Sequence, residues 1–156
     1  MFWVDFCYND TIITVISDES VYDSLIIMYL KDFDLWNGGK KDIHYKGENK
    51  FYHEREIWWC SLGINIGSEQ DGTSVTYERP ILILKGFSRN ICLIAPLTTS
   101  MKQHSMRIPV CLIHGKQASV ILSQIRVIDT KRLVNRISFI NQTVFENIRK
   151  TVKELL

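Results

Sequence analysis

From Glu56 onward, short apolar runs alternate with turn residues: EIWWCSL, PILILKGF, NICLIAPLT, MRIPVCLI, QASVILSQIRVID and NRISFI. Each is bounded by Gly, Asn, Ser or a charge cluster. That spacing predicts a mostly antiparallel sheet curled into a small barrel rather than βαβ units. Pro96 and Pro109 fall inside two of the runs and are expected at edges or bulges, because proline cannot donate to a β-ladder. The chain closes on a predicted helix with Val144, Ile148, Val152 and Leu155 as its apolar stripe. Asn141 is its N-cap, Ile140 and Phe145 form a hydrophobic staple across it, and Arg149, Lys150 and Lys153 complement the dipole of the last turns. Upstream, Val21, Leu25, Met28/Tyr29, Phe33 and Trp36 recur at spacings of three and four. They predict a helix over 20–36, with Ser20 as N-cap and Asn37-Gly38-Gly39 as the stop. FWVDFCY and TIITVIS, within residues 1–17, read as short strands or as a loosely attached extension. The expected organisation is therefore an N-terminal extension, residues 1–50, and a main module, residues 51–156. The fold class is mainly β (α+β).

Composition narrows the class without naming a function. With 156 residues, 46% of them apolar and 23% charged, the chain suits one folded domain. A chain of that length can bury roughly 70% of its unfolded surface. Cys7, Cys60, Cys92 and Cys111 are widely spaced with no C-x-x-C pair, and three lie in strand-like runs. They read as small buried hydrophobes, which makes a reducing cytoplasm the expected location. The first thirty residues hold no Lys or Arg, so no signal peptide is expected in them, and no apolar run approaches the ~18–20 residues of a membrane span. Charge is uneven: residues 1–50 carry five Lys/Arg against nine acids (5 − 9 = −4), and residues 51–156 carry fourteen against eight (14 − 8 = +6). A basic module suits a polyanionic partner, although an ordinary solvated surface explains the asymmetry equally well.

The segment REIWWCSLGINIGSEQDGTSVTYERPILIL runs from strand to G-S-E-Q to a polar loop to R-P and a second strand. APLTT (95–99) and SVILSQIRVIDTKRL (119–133) follow. This ordered set resembles the MazF/PemK (Kid) family of toxin endoribonucleases over about residues 55–156. The resemblance implies a small SH3-like antiparallel β-barrel with a C-terminal helix, here preceded by an added N-terminal helical segment. It also implies a homodimer that cleaves single-stranded RNA without a metal or other cofactor, and a cognate antitoxin that silences it. Arg79 of R-P and Thr98 of PLTT occupy the family's chemistry-bearing positions. Two departures are visible: eight residues, DGTSVTYE (71–78), separate Gln70 from Arg79 where many members have about three, and Gly63-Ile64-Asn65 replaces the usual proline after the first strand.

The residue types fit such chemistry. Attack by an internal 2′-hydroxyl needs the ribose and phosphate held in line and the phosphorane charge stabilised. An arginine fork binds two phosphate oxygens and stays charged, and a threonine hydroxyl can donate to a third. Arginine is a poor proton shuttle, so Glu69 is the candidate base, or else the group that orients the Arg79 fork. Gly67 is expected at a turn of positive φ. Ser68, Gln70, Pro80 and Thr99 flank these positions as RNA-binding or supporting residues, while Gln124 and Arg126 either touch RNA or brace the barrel. Taken singly, Arg79 is a surface arginine, Thr98 a strand-end hydroxyl and Glu69 a loop acid; only the ordered set raises them above that. His44, His53, His104 and His114 are scattered and lack metal-ligand spacing. Alternation along a strand sends one of Trp58 and Trp59 inward. A catalytically weak nucleic-acid-binding barrel, meeting operator DNA through the antitoxin complex, is the alternative.

Overall fold

The structure is a computed structural model that describes the strands Val4–Tyr8 and Thr11–Val15 and residues 31–155. The chain divides into two compact units, residues 1–32 and 33–156. In the first, β1 (Val4–Tyr8) and β2 (Thr11–Val15) form an antiparallel hairpin with Val4 opposite Val15. The expected helix from Ser20, up to residue 30, lies outside the described residues, as does the side chain of Cys7.

The second unit begins with helix α1 (Phe33–Lys46). Strands β3 (Glu56–Ser61), β4 (Glu78–Gly86), β5 (Ile91–Thr98), β6 (Arg107–Ile113), β7 (Lys116–Ile121), β8 (Arg126–Asp129) and β9 (Leu133–Phe139) follow, and α2 (Gln142–Glu154) closes the chain. The strands order as β6-β7-β5-β4-β3-β9, with β8 also on β5, and every pairing is antiparallel. Strand β5 is the pivot of this half-barrel. Residues Cys92–Pro96 pair with β4, Ile91–Ile94 with β8, and Leu97 and Thr98 with β7. Pro96 sits where β5 passes from β4 to β7. Pro109 lies on the edge strand β6 at a register shift, so its missing N–H costs no ladder bond there.

Both faces of the central strands are buried, which is why their sequences are continuous apolar runs rather than alternating ones. Ile81 and Ile83 of β4 join Trp58, Cys60, Cys92, Ile94, Ile128 and Leu133 in one cluster. Leu82 and Leu84 point the other way, into a cluster with Ile57, Ala95, Leu97, Val120, Phe145 and Ile148. Helix α2 covers this second cluster. Asn141 Oδ1 accepts from Thr143 N at 2.8 Å as its N-cap, and Ile140 and Phe145 on either side of the cap are 2% and 1% exposed. Each such fully buried side chain contributes roughly 1.5–3 kcal/mol. Burial pushes the Cys60 and Cys92 thiols up to about 12, leaving them packing groups.

Helix α1 corrects the expected boundary. It starts at Phe33 and continues through Asn37-Gly38-Gly39, which the sequence marks as a stop, to Lys46; Gly47 N then donates to Ile43 O at 3.0 Å. Two glycines inside a helix cost about 1 kcal/mol each against alanine. Tertiary docking offsets that cost: Trp36 is 5% exposed, stands edge-on to Tyr77 (centroids 5.7 Å) and lies under the Arg132 guanidinium at 5.7 Å.

Candidate active site

Arg79 lies near the start of β4, opposite Cys60 of β3. On its other side the β4–β5 ladder ends with Ile81 opposite Pro96, two residues short of Arg79 on one strand and of Thr98 on the other. Arg79 Nη1 donates to Leu97 O at 3.1 Å, and Nε donates to Asp71 O. The half-buried guanidinium is thus fixed beside the residue that precedes Thr98. Thr98 is 8% exposed, and its Oγ1 accepts from Ser100 N at 3.1 Å. That bond uses an oxygen lone pair and leaves the O–H as a donor. The structure therefore brings the R-P arginine and the PLTT threonine together on neighbouring strands.

The loop between β3 and β4 is built around this arginine. Asp71, 8% exposed, accepts from Asn65 N at 2.6 Å through Oδ1, and Asn65 Nδ2 donates to Gln70 O at 2.9 Å. Gly72 N donates to Gly63 O at 2.8 Å and closes the loop's base. From the far side, Gln124 Oε1 accepts from Gln70 N at 3.0 Å and its Nε2 donates to Ser68 O at 3.2 Å. Arg126 Nη2 reaches Gln70 O and Gln124 Oε1, both at 3.4 Å. Gln124 and Arg126 hence brace the loop, and Gly67 turns its tip with φ of +55°. The Arg79 fork is oriented by the two backbone carbonyls rather than by Glu69. The Glu69 carboxylate is exposed and makes no bond to another described residue.

The inserted residues after Gln70 form a small hairpin. Thr73 bridges Glu78, and Ser74 and Tyr77 both take positive φ. Pro80 is level with Trp59, and Thr99 is exposed. Next to Thr98, Ser100 and Ser119 help line a pocket of about 560 Å³ that also takes in Lys102, His104 and Arg107. Arg107 Nη1 donates to Ser100 Oγ at 3.2 Å. Asn65, Asp71 and Arg107 join the site's surroundings without any motif having marked them. Asp71 was visible only as the first residue of the inserted stretch. Of the four histidines, His53 lies at 3.3 Å from Glu56 and His44 beside Tyr45. Among the described residues, no three His, Cys, Asp or Glu side chains converge as a metal site, and no helix is long and apolar enough to cross a membrane.

Residues 53–156, about two-thirds of the chain, match the family model of the PemK-like, MazF-like toxin of type II toxin-antitoxin system. Among solved structures, MazF from Deinococcus radiodurans (Form-I) is similar at TM-score 0.57 and 19% identity, covering 68% of this chain and 96% of that one. A MazE-MazF structure (Form-II) from the same organism gives 0.53 at 15% identity, covering 68% and 95%. The structure of an endoribonuclease in complex with its cognate antitoxin, from Mycobacterial species, gives 0.51 at 13% identity, covering 67% and 93%. At these identities the likeness is one of fold. A search of curated proteins returned no match.

Proposed function

This chain belongs to the PemK-like, MazF-like toxins of type II toxin-antitoxin systems, and we propose that it is a metal-independent endoribonuclease acting on single-stranded RNA. The observation that carries this reading is the fixing of the Arg79 guanidinium beside Thr98 by the Leu97 and Asp71 carbonyls. In the reaction, a ribose 2′-hydroxyl attacks the adjacent phosphorus and the 5′-oxygen of the next nucleotide leaves, giving a 2′,3′-cyclic phosphate. Arg79 stabilises the charge on the non-bridging oxygens, and Thr98 Oγ1 donates to one of them. Both groups are positioned before substrate arrives, which is what transition-state stabilisation requires. Glu69, on the braced loop, is the proposed base for the 2′-hydroxyl. Ser68, Gln70, Pro80 and Thr99 border the path of the strand.

The partners proposed alongside are a second copy of the chain and a cognate antitoxin that covers the site, with operator DNA met through their complex. The test uses the purified full chain and single-stranded RNA in EDTA. Fragments ending in 2′,3′-cyclic phosphate are expected. Arg79→Ala should lower the rate by about 10²–10³, and Thr98→Val should do so by a comparable factor through loss of one donor. No cleavage, or equal cleavage by Arg79→Ala, overturns the proposal. The inserted hairpin beside the site favours one second reading, a binding module. Salt-dependent RNA binding without turnover would establish it instead.

A further inference from the structure

Helix α1 and the β8–β9 corner enclose a cleft of about 450 Å³ whose walls include Lys40, Lys41, His44, Tyr45, Lys131 and Arg132. Four Lys/Arg against the single lining carboxylate, Asp129, give a net charge of +3 (4 − 1). That carboxylate is already engaged, since Asp129 Oδ1 accepts from Lys131 N at 2.8 Å and from Asn49 Nδ2 at 3.1 Å. Lys131 Nζ donates to His44 O at 2.9 Å and ties the helix to the corner. Lys40 and Lys41 are exposed and bond to no other described residue.

We propose that this cleft binds the phosphodiester backbone of single-stranded RNA and extends the substrate path beyond Arg79 and Thr98. The inference rests on the reading of RNA as the substrate. The cleft's wall is tied to the strand that precedes the site's loop: Arg132 Nη1 donates to Ser61 O at 2.9 Å, at the end of β3. From there the chain runs through Gly63 into the loop that delivers Asp71 O to Arg79. The proposed path takes the strand along this segment to the cations of the cleft. Single-stranded RNA fits better than a duplex, because Tyr45, 80% exposed and edge-on to His44 at 4.9 Å, offers a ring on which an unpaired base can stack.

The test measures binding of a fluorescent 2′-O-methyl oligouridine of about 16 nucleotides, which cannot be cleaved by its own 2′-oxygen and spans a typical single-strand site. The full chain and its Lys40→Ala/Lys41→Ala variant are compared from low to high salt. Loss of two phosphate contacts should lower the slope of log K against log salt by about 1.4, at about 0.7 per contact. Lys40→Arg/Lys41→Arg should retain the original slope. An unchanged slope in the alanine variant overturns the proposal, as does a loss confined to a DNA duplex of equal length. If the oligomer binds with the expected slopes but RNA is never cleaved, the reaction fails and the cleft stands. If RNA is cleaved and the slopes coincide, the cleft fails and the reaction stands.

Discussion

The docking of α1 can be tested at a single glycine. Gly63 has φ of +82°, and a Cβ placed there would overlap Cε2, Cζ2 and Nε1 of Trp36. Gly63→Ala therefore carries two penalties. The left-handed backbone costs a non-glycine residue roughly 1–2 kcal/mol, and the indole must leave a site where it is 5% exposed. Emptying such a site by Trp36→Ala costs about 3–5 kcal/mol, and displacing the ring by the new methyl costs up to about the same. The double variant pays the docking term only once, because an alanine at 36 leaves the methyl nothing to strike. It should thus be more stable than the sum of the single effects implies, by roughly 3–5 kcal/mol, where independent sites add to within about 0.5. Urea unfolding followed by far-UV circular dichroism on the four proteins gives the coupling. Strict additivity, or a Gly63→Ala protein as stable as the parent, would refute the packing of Trp36 on Gly63.

Two further outcomes follow from hydrogen-bond geometry. Burial raises the pKa of Glu56, but bonds from His53 N, Trp58 Nε1 and Arg136 outweigh it and hold the carboxyl below its ordinary 4.5. A lowered folded-state pKa stabilises the protein above the unfolded-state value and is lost as pH falls through the folded one; below pH 4.5, melting temperature should fall less steeply in Glu56→Gln, and parallel curves would refute the assignment. Gln124→Ala removes the bonds to Gln70 N and Ser68 O, at about 1 kcal/mol each, so amide exchange at Gln70 should rise roughly fivefold or more and the melting temperature should fall by several degrees.

The barrel strands were legible because β4 and β5 bury both faces. Ile81 to Leu84 divide between two clusters, and such a run cannot be a solvated helix face or a loop. The C-terminal helix was legible because its cap and its staple are local. The end of helix α1 was misread for the opposite reason. Its glycines oppose helix formation, and what overrides them is Trp36 meeting Gly63 and Tyr77, residues far along the chain. Arg79 and Thr98 stood out through motif order. The Asp71 carbonyl that holds the arginine could not, since any residue offers a carbonyl and only the folded loop selects one. Glu69 drew attention as the motif acid, yet its neighbour Gln70 makes the long-range bond to Gln124.

The loop from Gly63 to Gly72 contains no helix or strand, yet three separate elements restrain it. Trp36 of α1 packs on its first residue, Gln124 holds Ser68 and Gln70 at its far side, and Arg79 of β4 takes the Asp71 carbonyl. Ordering about ten residues costs roughly 1–2 kcal/mol of backbone entropy for each. A surface that only adheres to RNA gains little from that rigidity, because a mobile loop can adapt to a flexible strand. A catalyst gains much, since donors that must reorganise during the reaction lose most of their electrostatic advantage. The two readings therefore part at Gln124, which touches the loop but not Arg79. Loosening the loop by Gln124→Ala should lower turnover more than RNA affinity if the loop exists to hold reacting groups in place. Equal losses in both would mean that the loop is a contact surface, and the case for a preorganised cleavage site would then rest on Arg79 and Thr98 alone.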